Sequence, residues 1–196
     1  MYKTQIFTIA GGNPTLLIEG VPYSPKFAVK YLNEVEQVGF ISRTGTPTLK
    51  MMGNELSING TLAFASTLKP QGKLITSGLD SLVNYTNESG FCTIRFPVNY
   101  RRQRNKVILR GIGYLISNVK IQNIKEYLNK MCNQYQCQAF GKIEYQNNII
   151  KPFVYVKKTS SMVQETACGS GSLAYSVISD LKQITQPNRD LYPTSG

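Results

Sequence analysis

Apolar and polar positions alternate with period two over much of this 196-residue chain, and a few stretches break into helical spacing. Residues 5–10 read as a strand, Gly11-Gly12-Asn13-Pro14 as a turn, and residues 15–19 as a second strand. Ser24-Pro25 opens a helix as N-cap and first-turn proline, with Phe27, Val29, Leu32 and Val35 close to helical spacing. Strands are predicted over 37–42 and 48–52, then a helix over 61–68 that Pro70-Gln71-Gly72 stops. Further strands are predicted over 73–77, 82–87, 92–98, 107–109 and 114–119. A helix follows over 124–131, with Ile124, Leu128 and Met131 on one face. Residues 138–145 and 149–156 form a hairpin over Asn147-Asn148, and a last helix spans 173–181. The pattern predicts an α+β chain with a join near 77–80, dividing it into residues 1–78 and 79–196.

One segment occurs twice. Ser57-Ile58-Asn59-Gly60-Thr61-Leu62-Ala63-Phe64-Ala65 and Cys168-Gly169-Ser170-Gly171-Ser172-Leu173-Ala174-Tyr175-Ser176 share glycine, leucine and alanine in register. The remaining positions mostly exchange like for like, and a glutamate precedes each copy: Glu55 two residues before Ser57, Glu165 three before Cys168. Each copy lies where a strand passes through a turn into a helix. The first N–H groups of a helix have no partner inside it and carry partial positive charge, so they can hold a carboxylate. A thiol placed there is expected to titrate below its free value of about 8.5. Two similar halves that face each other would therefore bracket one small ligand between Ser57 and Cys168.

This pair resembles the diaminopimelate epimerase fold family of cofactor-independent amino-acid racemases, whose half-motifs read approximately C-G-N-G and A-C-G-[ST]-G. Within that family Glu36-Gln37-Val38-Gly39-Phe40-Ile41, Met52-Gly53-Asn54-Glu55 and the Cys168 segment resemble the histidine racemases of staphylopine-type metallophore synthesis more than the epimerase itself. The resemblance implies two pseudo-symmetric halves, each a mixed sheet or barrel around a central helix. It implies an isomerase that works at the α-carbon of an amino acid with two bases on opposite faces and no cofactor. On this footing Cys168 is the thiolate base, and Gly169 and Ser170 offer N–H groups to the substrate carboxylate. Asn59 and Gly60 do so from the other side, and Glu165 belongs to the substrate site. Asn13 matches a substrate-contacting asparagine, with plain turn chemistry as the alternative. Glu36 matches a glutamate that would hold an ammonium or ring nitrogen, with a surface carboxylate as the alternative. Ser57 stands where the family has its second cysteine. An alcohol is a far weaker acid than a thiol, which leaves open a one-base reaction such as proton exchange or dehydration, or ligand binding without turnover.

Two departures narrow the resemblance. Gly111-Ile112-Gly113-Tyr114 lacks the asparagine of the family's substrate loop, and Lys157-Lys158-Thr159-Ser160-Ser161 lacks the Glu-Arg-Gly with which the epimerase holds its distal amino-acid end. A histidine-like substrate is therefore favoured over diaminopimelate. The chain runs only from Gln186-Pro187 to Gly196 where the family has several more strands, so those C-terminal strands are expected to be missing.

Composition removes other classes. No apolar run approaches a membrane span, and the N-terminus alternates like a strand, so the expected location is the cytoplasm. With 0 histidines the commonest metal ligand is absent, and Cys132 and Cys137 lack companions at zinc-site spacing; no metal or cofactor is expected. The formal charge of +11 attracts anions, and the run Tyr100-Arg101-Arg102-Gln103-Arg104-Asn105-Lys106 is its densest part. It reads either as a phosphate-binding patch or as a solvated inter-strand loop; the loop is favoured, and nucleic acid is not the expected partner. The expected partner is a small amino acid, and the pattern is compatible with a homodimer.

Overall fold

The computed structural model describes residues 1–147, 149–181, 184–185 and 190–191, the last two pairs by their backbone. The turn at Asn148 and most of the stretch after Leu181 lie outside them. The first sheet is built from β1 (Lys3–Ile9), β2 (Gly12–Glu19), β3 (Gln37–Ser42), β4 (Thr48–Met51), β5 (Gln71–Thr76), β6 (Val83–Glu88) and β7 (Phe91–Arg95), hydrogen-bonded in that order. Helix α1 (Pro25–Val29) links β2 to β3, and α2 (Ile58–Ala65) links β4 to β5. The second sheet contains β8 (Tyr100–Gln103), β9 (Lys106–Leu109), β10 (Ile112–Ile116), β11 (Ala139–Gln146), β12 (Ile149–Val156), β14 (Ile184–Thr185) and β15 (Asp190–Leu191), with β13 (Ser161–Gln164) beside β12. Helix α3 (Ile124–Tyr135) joins β10 to β11, and α4 (Gly169–Ser179) follows β13.

The chain repeats one topology. An antiparallel pair, a helix, a parallel strand, an antiparallel strand, a second helix, a parallel strand and an antiparallel partner describe β1-β2-α1-β3-β4-α2-β5-β6. The same words describe β9-β10-α3-β11-β12-α4-β14-β15. Helices α2 and α4 are thus equivalent and touch each other. Strands β6 and β7 lie past residue 78 and extend the first sheet, while the second begins at Tyr100.

Strand alternation assigns faces. On β10, Ile112, Tyr114 and Ile116 enter the largest core cluster, while Leu115 enters the cluster under α3. On β2, Leu16 and Ile18 join that same largest cluster and Leu17 packs around α2. This cluster therefore draws on both sheets. Two glycines adjust the fit: Gly141 lies opposite Tyr114 and Gly113 opposite Phe140. A Cβ on Gly141 would come within 2.5 Å of the Tyr114 ring, and one on Gly113 within 2.5 Å of the Phe140 ring. Each glycine makes room for the ring across from it.

The helices start earlier than periodicity suggests. α2 begins at Ile58 rather than 61, and α4 at Gly169 rather than 173, because small polar residues and glycines of low helix propensity form both first turns. α1 closes after five residues, which leaves Val29 exposed. β13 was not anticipated, since Ser161-Met162-Val163-Gln164 offers only two apolar positions. The basic run is half strand: β8 pairs with β9 around Arg104, whose φ is 55°. Arg102 donates to the Val177 carbonyl in the last turns of α4 at 3.1 Å, and Arg101 lies over the Tyr135 ring. Among the described residues no helix is long and apolar enough to cross a membrane.

Candidate active site

The duplicated segments become two helix caps. Ser57 is extended (φ −123°, ψ 114°), and its Oγ accepts from Gly60 N at 2.9 Å. Cys168 is extended (φ −143°, ψ 102°), and its Sγ accepts from Gly171 N at 3.2 Å. Both are N-caps bonded to the third residue of their helix, the usual way to satisfy one orphan donor. The two N-termini meet head to head. Asn59 Nδ2 donates to the Ala167 carbonyl at 3.0 Å, and Gly169 N donates to Asn59 Oδ1 at 3.0 Å. A Cβ on Gly169 would lie 2.7 Å from Ile58 and 2.8 Å from Asn59.

These bonds change which N–H groups face a ligand. Gly60 N is taken by Ser57, Gly169 N by Asn59 and Gly171 N by Cys168, so these expected donors are used inside the protein, and of the α4 cap Ser170 is the residue that lines the cavity. The end of the α1 crossover ties the halves together beside them. The Glu36 carboxylate accepts from Thr166 N at 3.0 and 3.1 Å, from Thr166 Oγ1 at 2.7 Å and from Asn13 Nδ2 at 3.0 Å. Asn13 is fully buried at φ 46°, and its Oδ1 accepts from Thr15 Oγ1 at 2.8 Å, so both ends of its carboxamide are bonded within the protein.

A narrow cavity lies between the caps. Glu36, Gln37, Glu55 and Ser57 face it from the first half, and Tyr114, Glu165 and Ser170 from the second. Its free volume of about 20 Å³ holds about one water, so an amino acid enters only if the cleft widens. Cys168 sits one layer behind this wall, 1% exposed, with Sγ 3.4 Å from the Tyr114 hydroxyl and bonded to Glu165. The Tyr114 hydroxyl also lies 2.7 Å from Ser170 Oγ.

Burial dominates the electrostatics. It lifts the Glu55 carboxyl to about 7, against the hydrogen bond from Gly53 N. Burial likewise lifts Glu165 to about 7, with Glu36 and Glu55 adding to the effect while Cys168 and Gln37 oppose it by hydrogen bonding. Glu36 is raised by burial, with the Thr166 and Asn13 bonds working against it. Burial and the neighbouring Glu165 push the Cys168 thiol well above its ordinary value. This corrects the expectation that a helix start would lower it: desolvation in a closed site outweighs the helix end. The resting thiol keeps its proton and shares it with the Glu165 carboxylate. Among the described residues no group of three or more His, Cys, Asp or Glu side chains is placed to hold a metal ion.

Sequence reasoning named Ser57, Cys168, Asn59, Gly60, Glu165, Gly169, Ser170, Glu36 and Asn13, and the structure gathers all of them at this junction. It passed over Gln37, Glu55 and Tyr114 as site residues. Glu55 had a signal, since it precedes Ser57 by two residues as Glu165 precedes Cys168 by three. Tyr114 had none, because its approach to Cys168, 54 positions away, depends on how α4 packs against β10.

No family model matches the chain. Over 224 aligned positions it is 27% identical to a histidine racemase of Fusobacterium nucleatum subsp. nucleatum (strain ATCC 25586), which covers 90% of this chain and 83% of that protein. The histidine racemase of strain ATCC 23726 is 26% identical with the same coverage. Among solved structures, a phenazine biosynthesis protein of the PhzF family from Enterococcus faecalis superposes with a TM-score of 0.53 at 12% identity, covering 97% of this chain and 88% of its own. The fold is like that of this PhzF-family protein. A Bacillus anthracis PhzF-family protein superposes equally well, at 0.53 with 14% identity and coverage of 95% and 86%.

Proposed function

We propose that this chain is a cofactor-independent isomerase of the racemase kind, acting at the α-carbon of a small amino acid, with histidine favoured. The observation that carries this reading is the head-to-head meeting of two equivalent helix caps, Ser57 and Cys168, beside one cavity with a buried carboxyl group on either side. The similarity to histidine racemases supports the choice of substrate.

In this reading the substrate carboxylate lies on the N–H groups of Asn59 and Ser170, where fixed donors stabilise charge that develops on it as the α-proton leaves. Glu165 takes the Cys168 proton, and the resulting thiolate takes the α-hydrogen. On the opposite face Ser57 is too weak an acid to return a proton. Glu55, two residues before it and protonated up to about 7, is the group that can. A second reading, ligand binding without turnover, draws on the enclosed thiol and on the hydroxyl of Ser57, which is bonded inside the protein.

The test is α-hydrogen exchange in heavy water, followed by proton NMR with L-histidine and a panel of other L-amino acids. Loss of the α-signal for histidine, with D-histidine appearing, supports the isomerase. No exchange with any amino acid, diaminopimelate included, overturns it. The Ser57→Cys variant separates the second reading: turnover that rises with a second thiol marks an active site, and binding with no turnover in either form marks a binding protein.

A further inference from the structure

Gln37, the first residue of β3, stands between the two half-motifs and touches both. Its Nε2 donates to Glu165 Oε1 at 2.7 Å, and its Oε1 accepts from the Ser57 hydroxyl at 2.5 Å. It is 7% exposed and faces the cavity. Reversing the carboxamide would set two oxygens, Gln37 Oε1 and Glu165 Oε1, against each other whenever Glu165 is ionised. With Glu165 ionised the orientation is therefore fixed by charge, and it has a consequence for Ser57. A hydroxyl has one proton, and here Gln37 receives it. Ser57 Oγ meanwhile accepts from Gly60 N. Toward the cavity Ser57 offers only a lone pair.

We infer that Gln37 is a positioning residue that withdraws the Ser57 proton from the cavity and couples Ser57 to the ionisation of Glu165 across the two halves. Ser57 then serves a ligand as an acceptor, suited to the α-ammonium, while acid chemistry on its face falls to another group. The coupling is physical: donation from Ser57 polarises the Gln37 amide and strengthens its N–H as a donor to the carboxylate. The inference rests on the proposed reading of the cleft as the active site, but its test reads a titration and needs no turnover. The other groups that bear on Glu165 are Glu36, also on the β3 approach, Glu55 before α2, Tyr114 on β10 and Cys168 at its own helix cap. Among the described residues one Glu165 oxygen, Oε2, is buried with no hydrogen-bond partner, so Gln37 and Cys168 are the side chains that hydrogen-bond this carboxyl there.

The experiment is carbon-13 NMR of the full chain with carboxyl-labelled glutamate, with Glu165 assigned by its loss in Glu165→Gln. Ser57→Ala should raise the Glu165 midpoint by roughly half a pH unit, although Ser57 does not touch Glu165. Gln37→Met should raise it by about one unit, and Ser57→Ala added to Gln37→Met should move it no further. An unmoved midpoint in Ser57→Ala, or an equal movement with and without Gln37, overturns the coupling. Should Gln37→Met fail to fold, Gln37→Asn, one methylene too short to bridge, takes its place. Absence of amino-acid exchange in the wild type would count against the isomerase and leave this titration result standing.

Discussion

The two helix caps differ by one atom type and by what surrounds it. At α2 an oxygen caps the helix, and its proton goes to Gln37. At α4 a sulfur caps the helix, enclosed by Tyr114 and Glu165. The backbone at the two positions is nearly superposable, with φ within about 20° and ψ within about 12°. Cap geometry is thus set by the need to satisfy one helix donor, which either side chain can do. Reactivity is set by the neighbours, and these are not duplicated.

The sharpest way to break this comparison is to remove the sulfur. Cys168→Ala should lower α-hydrogen exchange by roughly 10²–10⁴-fold, the range for losing one acid–base group. Comparable loss in Ser57→Ala would mean that the two caps do equivalent work. The second effect concerns pH. Glu55 and Glu165 have folded values near 7, raised from an ordinary 4.5. Both bind protons more tightly in the folded state, so their contribution to stability is complete below about 4.5 and is lost as the pH rises through 7. Thermal unfolding followed from pH 5 to 8 should show Tm falling, by the equivalent of a few kcal/mol at most. Glu55→Gln should flatten the slope, and a Tm that rises across this window would refute the burial argument.

Smaller effects sharpen the geometry of the junction. Gly169→Ala forces a Cβ against Ile58 and Asn59 and should cost about 1–3 kcal/mol, a Tm loss of several degrees for a chain of this size. Gly171→Ala, whose Cβ would meet the Cys168 sulfur at 2.9 Å, distinguishes pressure on the thiol from pressure between the helices. The least effect is expected for Ser57→Ala on stability, about 1 kcal/mol for a lost cap, read by denaturant midpoint.

Much of the fold was legible because it is carried by local patterns. The apolar runs of β3, β4, β11 and β12, and the Ser24-Pro25 helix start, are properties of neighbouring residues. The pairing of Ser57 with Cys168 was legible for a different reason: the segment is written twice, and the topology is repeated around it. The titration of Cys168 was not legible, because a helix start lowers a thiol only where water or a cation can support the charge. Burial at 1% exposure next to Glu165 is a property of the assembled site. Gln37 was hidden likewise. Its role comes from a bond to a residue 128 positions away and another 20 away, and nothing in a lone glutamine announces either.

The largest apolar cluster takes Leu16, Ile18, Val38 and Phe40 from one sheet and Val107, Leu109, Tyr114 and Ile143 from the other. Each duplicated unit keeps a smaller cluster of its own, but this largest one is completed by the other unit. A single unit on its own would leave its share of that cluster open to water, so the seam between the units behaves as an interface folded into one chain.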